Sequence, residues 1–235
     1  MLGWLKKTKL HFVGIGGIGM SGIAEILLDL GYFISGSDLN HSLVIERLRD
    51  KGAEIFLGHH EDHLSDATLV VYSSAIDHKN PEIQKALRLG IPMIQRAEML
   101  AELMRLKFGI AIAGSHGKTT TTSVLATIFN ESQLDATYVV GGIVSNLGGN
   151  AKRGKGDYLI AEADESDGSF LLLSPIMAAI TNIDNVHLDH YGTKEQIVDA
   201  LLTFVHKLTF YGTIALNAND KTSVELRPKI KRNII

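Results

Sequence analysis

Ala113-Gly114-Ser115-His116-Gly117-Lys118-Thr119-Thr120 joins two segments of different character. Before it, Phe108 to Ala113 is a short apolar run that reads as a buried parallel strand. After it, Thr121 to Asn130 carries Val124, Leu125, Ile128 and Phe129 at helical spacing. Strand, glycine turn, Lys-Thr and helix is the order that builds a phosphate cradle. Glycines let backbone N–H groups turn toward an anion, and the helix N-terminus adds the positive end of its dipole. Lys118 is placed to reach β- and γ-phosphates, and the Thr119 hydroxyl to ligate Mg²⁺. The loop is shorter than the common Walker pattern, because Ile112 stands where a glycine is expected five positions before Gly117.

Upstream, a second glycine turn sits in the same setting. Leu10 to Ile15 reads as a strand, Gly14-Ile15-Gly16-Gly17-Ile18-Gly19 follows, and Ser21 to Leu30 puts Ile23, Ile26, Leu27 and Leu30 on one helical face. This G-x-G-x-x-G pattern brings a pyrophosphate close to a helix N-terminus. The next strand, Tyr32 to Ser37, runs into Asp38, where such folds place the carboxylate that accepts from a ribose hydroxyl. Ser73-Ser74 follows the strand Thr68 to Tyr72, so its hydroxyls sit at a strand's carboxyl end. Gly58-His59-His60-Glu61-Asp62-His63 has the look of a metal cluster, but the run is polar and loop-like and reads as a solvated loop. Asn80-Pro81 opens a helix that Gly90 stops, and Arg96 to Arg105 turns Met99, Leu100, Leu103 and Met104 toward a core.

Strand and helix alternate through Arg105 and begin again at Phe108. This predicts a Rossmann-like, doubly wound α/β domain over 1–107 and a P-loop α/β domain over 108–235. In the second, the strand Asp157 to Ala161 ends in Glu162-Ala163-Asp164-Glu165-Ser166-Asp167. Carboxylates one βαβ unit past a phosphate loop are where such folds hold Mg²⁺. Their crowding argues for a cation among them. Met177 to Thr181 is a further strand, followed by Asn182 to Tyr191, which includes His187 and His190. Either His187 or His190 is a candidate ligand to a second cation, on position rather than type, since histidine suits softer metals than Mg²⁺.

Composition narrows the classes. The 235 residues have a net charge of −3, without the basic excess of a nucleic-acid surface. With no cysteine, disulfides and thiol chemistry are excluded. Lys6, Lys7 and Lys9 before Phe12 to Met20 resemble a signal peptide, but glycines interrupt the apolar run, and no stretch reaches transmembrane length. The expected compartment is the cytoplasm.

Taken together the motifs resemble the Mur ligase family, ATP-dependent enzymes that build the peptide of bacterial peptidoglycan. Gly114 to Thr120 is similar to the family's Gly-Thr-His-Gly-Lys-Thr-Thr, with Ser115 in the place of threonine. Phe12 to Gly22, Ser73 to Ile76, Arg96 to Leu100 and Glu162 to Asp167 are similar to the branch that joins L-alanine to UDP-N-acetylmuramate. The resemblance implies a ligase in which the substrate carboxylate attacks the ATP γ-phosphate and the alanine amine displaces the resulting acyl phosphate. It implies ATP binding by Gly114, Ser115, His116, Gly117, Lys118, Thr119 and Thr120. It also implies one Mg²⁺ on Thr119 and Glu162 and a second on Glu162 and His187 that also meets the substrate carboxylate, with Lys118, Glu162 and His187 as the catalytic set and Glu165 in reserve for Glu162. Gly14, Gly16, Gly17, Ile18, Gly19, Asp38, Ser73 and Ser74 would bind the UDP portion. Another ligase of the family, an NAD-dependent oxidoreductase and a P-loop module without ligase chemistry are the alternatives. Family members are roughly twice as long and carry a third domain. The expectation is therefore a fragment that keeps UDP-substrate binding, lacks full ligation activity and exposes apolar surface near Ile230 to Ile235.

Overall fold

The computed structural model describes residues 8–144, 147–184 and 191–235. They divide into two compact units, Met1–Met99 with Asn150–Arg153, and Leu100–Gly149 with Gly154–Ile235.

The first unit is a five-stranded sheet in the order β3-β2-β1-β4-β5, every pairing parallel. Its strands are β1 (Lys9–Val13), β2 (Phe33–Asp38), β3 (Glu54–Leu57), β4 (Leu69–Tyr72) and β5 (Met93–Gln95). The helices between them are α1 (Ile18–Asp29), α2 (Leu43–Asp50) and α3 (Pro81–Leu89), and α4 (Arg96–Met104) follows β5. Local chemistry sets several ends. Asn80 caps α3 by accepting from the Glu82 and Ile83 N–H groups, Pro81 takes the first turn, and Gly90 closes the helix at φ +65°. Val13, Leu64, Val70, Ile83 and Ala86 form one continuous buried cluster. The strand order reverses between β1 and β4, and open α/β sheets bind ligands at such a reversal.

The second sheet has the order β12-β11-β10-β6-β9-β7-β8. Its strands are β6 (Phe108–Ala113), β7 (Thr137–Val144), β8 (Gly149–Lys152), β9 (Tyr158–Glu162), β10 (Met177–Ile180), β11 (Thr213–Leu216) and β12 (Asn233–Ile234). Helix α5 (Lys118–Glu131) follows β6, α6 (Lys194–His206) follows β10, and α7 (Lys221–Leu226) follows β11. Ile110, Ile112, Tyr138, Val140 and Ile160 anchor its core. β6 lies between β9 and β10 with parallel pairing on both sides, so three strand ends converge around the phosphate loop.

The structure departs from the sequence reading in three places. β8 forms in a stretch to which the sequence reading assigned no element, since strand formation depends on neighbours more than on propensity. α7 follows no strong apolar period and is started by Asp220, which accepts from Ser223 N. Helical spacing on α5 is right, but the buried positions are Thr122 and Ala126, while Val124 and Ile128 are each 55% exposed. With Ile110, Ile112, Ala179 and Ile235 they line an apolar hollow of about 490 Å³. Exposed apolar surface near the last residues is therefore present at Ile235, whereas Ile230 is buried.

Candidate active site

The phosphate loop is short because β6 runs on through Ala113. Ile112 is 1% exposed and paired in register with Glu162 and Ala179, so it cannot belong to the loop. The turn is confined to Gly114–Gly117, and α5 begins at Lys118. Both glycines take positive φ, +121° at Gly114 and +78° at Gly117. A Cβ on Gly114 would lie 2.3 Å from Thr181 Oγ1, so the residue is required on two counts.

The residues after β10 clamp this loop. Ser115 N donates to Asn182 O at 3.0 Å, and His116 N donates to Asn182 Oδ1 at 2.9 Å. Thr181 Oγ1 donates to His116 O at 2.7 Å, and Asp184 N donates to Ser115 Oγ at 2.8 Å. A serine in place of threonine therefore still supplies the hydroxyl that Asp184 uses. Thr181, Asn182 and Asp184 are site residues that the sequence reading did not single out. Their signal was the polar run directly after a buried strand.

Two carboxylates are sorted by what they touch. Glu162 Oε2 accepts from Thr119 Oγ1 at 3.2 Å, and Glu162 Oε1 accepts from Gly141 N at 2.7 Å. Gly141 is needed for that approach, since a Cβ there would be 2.6 Å from Glu162 Oε2. Glu165 is 2% exposed and pairs with Lys118 Nζ at 2.7 Å, while the same ammonium donates to Gly114 O at 2.8 Å. Asp164 accepts from Ser166 N and Asp167 from Ser169 N, so the four carboxylates of this run have different local partners. Among the described residues no three His, Asp or Glu side chains converge on a metal-holding point. Thr119 and Glu162 nevertheless bring two hard oxygen donors together beside Lys118, a donor set that fits Mg²⁺. His187 lies outside the described residues. Nearby, Tyr191 Oη donates to Glu165 O at 2.6 Å. Burial and the Glu165, Asp167 and Asp164 charges push the phenol up to about 12.

In the first unit, Gly14 N and Ile15 N donate to Ser37 O at 2.8 and 3.0 Å, and Gly17 caps α1 without a side-chain bond. Asp38 Oδ2 accepts from Gly16 N at 2.8 Å and Asp38 Oδ1 from Asn40 N at 3.1 Å. The carboxylate expected to face a ribose therefore also holds the glycine loop in place. Ile18 and Gly19 open α1, and Ser73-Ser74 ends β4 beside β1. Ile76, just after them, packs close enough that a Cβ on Gly14 would lie 3.2 Å from its Cδ1. Gly14 to Gly19, Asp38 and Ser73-Ser74 thus sit around one end of one sheet.

The solvated-loop reading of residues 58–63 is overturned. His59 and His63 side chains are only 12% and 16% exposed, and both bond the fully buried Glu82 of α3. His60 and Asp62 between them still project into solvent, at 64% and 79%. The partner carboxylate comes from a distant part of the chain, so no local pattern announces it.

The Mur ligase family model described as its catalytic domain matches residues 9–108, and the Mur ligase middle domain model matches 112–235. The chain belongs to the Mur ligase family. Among curated Mur ligases, it is 57% identical over 97% of its length to the UDP-N-acetylmuramate–L-alanine ligase of Pelobacter propionicus, covering 50% of that protein. It is 54% identical over 98% of its length to the ligase of the same name from a Sulfurihydrogenibium strain, covering 51% of it. The chain spans about half the length of the curated relatives it matches. The structure of UDP-N-acetylmuramate-alanine ligase MurC from Thermotoga maritima superposes with a TM-score of 0.85 at 32% identity, over 93% of this chain and 51% of that one. The structure of UDP-N-acetylmuramate:L-alanyl-gamma-D-glutamyl-meso-diaminopimelate ligase from Neisseria meningitides shares the fold, with a TM-score of 0.88 at 24% identity over 97% of this chain and 76% of that one. Among the described residues no helix is long and apolar enough to cross a membrane.

Proposed function

We propose that this chain carries the two nucleotide-binding parts of a cytoplasmic UDP-N-acetylmuramate–L-alanine ligase, which forms an amide bond at the expense of ATP in peptidoglycan-precursor synthesis. The observation that carries the reading is the 57% identity to an enzyme of that name across nearly the whole chain. Residues 1–107 would bind the UDP substrate through Gly14, Gly16, Gly17, Ile18, Gly19, Asp38, Ser73 and Ser74. Residues 108–235 would bind ATP through Gly114 to Thr120.

The chemistry asks for positioning and charge neutralisation rather than a covalent role for the protein. With the Ser115 and His116 N–H groups taken by Asn182, Gly117 and the N-terminus of α5 would present N–H groups to the phosphates, and Lys118 would supply the point charge. A substrate carboxylate oxygen attacks the γ-phosphorus and ADP leaves, giving an acyl phosphate. The alanine amine then attacks the acyl carbon, phosphate departs, and the amide remains. Thr119 and Glu162, together with His187, would hold Mg²⁺, which when bound screens the phosphate and carboxylate anions that must approach each other. Glu162 is the preferred carboxylate because it meets the Thr119 hydroxyl, whereas Glu165 is committed to Lys118.

Calorimetry on this chain tests the reading. UDP-N-acetylmuramate is expected to bind tightly, Mg-ATP more weakly and NADH not at all. Binding of NADH in place of the uridine nucleotide would overturn it.

A further inference from the structure

Glu82 is the most completely enclosed carboxylate of the first unit, and its contacts gather several segments that meet below the glycine loop. It sits in the first turn of α3 at 0% exposure. Ser37 Oγ donates to Glu82 Oε2 at 2.6 Å, and His59 Nδ1 lies 2.9 Å from both that oxygen and Ser37 Oγ. His63 Nδ1 meets Glu82 Oε1 at 2.7 Å, with its ring stacked on Phe56 at 4.2 Å. His11, fully buried on β1, places Nε2 3.5 Å from Glu82 Oε1, while its Nδ1 bonds Ser35 Oγ at 2.9 Å. Further out, Asp62 faces Lys85 and Glu61 faces Arg88.

One carboxylate therefore ties together β1, the end of β2, the 59–63 segment and α3. Ser37 is the critical link. Its side chain is held by Glu82 while its backbone carbonyl accepts from both Gly14 N and Ile15 N. The following residue, Asp38, holds Gly16 N through its side chain and Gly58 N through its carbonyl. The geometry of the glycine loop is thus set from below by a buried polar cluster that does not itself line the loop.

We infer that Glu82, acting through Ser37 and His59, is a positioning residue for the uridine-nucleotide site, holding the Ser37–Asp38 strand end so that the Gly14–Gly19 loop keeps its diphosphate-accepting shape. The inference rests on the assignment of that loop to the UDP substrate. A buried carboxylate bonded from several segments favours one arrangement of them, and removing one partner loosens it.

The test is calorimetry of Ser37→Ala, His59→Ala and His59→Asn, with UDP-N-acetylmuramate and Mg-ATP titrated separately into each. Asparagine keeps a donor near the position of the imidazole Nδ1. Ser37→Ala and His59→Ala should weaken UDP-N-acetylmuramate binding by about tenfold or more, as loss of a supporting contact does elsewhere. Mg-ATP affinity should stay unchanged and His59→Asn should recover most of the loss. Unchanged UDP-N-acetylmuramate affinity in both alanine variants would overturn the inference, as would an equal fall in Mg-ATP affinity. Failure of the unsubstituted chain to bind UDP-N-acetylmuramate would instead overturn the assignment beneath it.

Discussion

Lys118 Nζ lies 2.7 Å from Glu165 Oε1 and 2.8 Å from Gly114 O, so the phosphate-loop lysine is held by a buried carboxylate and by its own loop. The pair is nearly out of solvent, with side chains 15% and 2% exposed. On the proposed function, an incoming triphosphate would have to draw the ammonium away from Glu165 or share it.

Removing either member of that pair should have different consequences. Glu165→Ala leaves a mostly buried cation with one carbonyl partner, and breaking buried pairs costs roughly 3 kcal/mol or more. Its urea midpoint should fall clearly. Lys118→Ala should leave UDP-N-acetylmuramate binding intact and abolish turnover in a protein of its relatives' full length. Surviving turnover would remove Lys118 from its proposed role.

Glu162→Ala removes the acceptor of the Thr119 hydroxyl and one of two hard oxygen donors. The part of nucleotide affinity that depends on Mg²⁺ should then vanish. Titrating ATP with Mg²⁺ and with a chelator should give different affinities for the parent and the same affinity for the variant. A retained difference would transfer the metal role to other groups.

Gly114→Ala should be severely destabilising. Its φ of +121° is unfavourable for any side chain, and the new Cβ would meet Thr181 Oγ1 at 2.3 Å and Asn182 O at 2.8 Å. A cost of about 3 kcal/mol or more follows from strain and overpacking together. Thermal unfolding would show it as a drop of several degrees or more.

Acid stability should depend on Glu82. Burial alone would push its carboxyl up, but His11, Ser37 and His63 bring it down from 4.5 to about 2. Since the folded value is the lower one, the stabilisation is fully present above pH 4.5 and is lost as pH falls toward 2. The shift corresponds to roughly 3 kcal/mol. Urea unfolding at a series of pH values should show this loss in the parent and a much flatter acid limb in Glu82→Gln. Identical limbs would mean that other carboxylates govern acid unfolding.

Sequence alone determined the strand–turn–helix setting of both glycine loops, the alternating parallel architecture and the placement of Lys118, Thr119, Glu162, Asp38 and Ser73-Ser74 at strand ends. Those features are local or periodic, and glycine spacing, caps such as Asn80-Pro81 and short apolar runs record them within a few residues. Tertiary structure alone decided which groups meet. It separated Glu162, bonded to Thr119, from Glu165, bonded to Lys118, though the two stand three residues apart. It brought the Thr181–Asp184 clamp onto the loop and turned His59 and His63 inward onto Glu82. It also left Val124 and Ile128 of α5 in the open. Periodicity says which residues share a face, but what lies against that face is set by parts of the chain far away in sequence. Hydrogen bonds between distant buried groups leave no local trace, because their energy exists only once the intervening chain has folded around them.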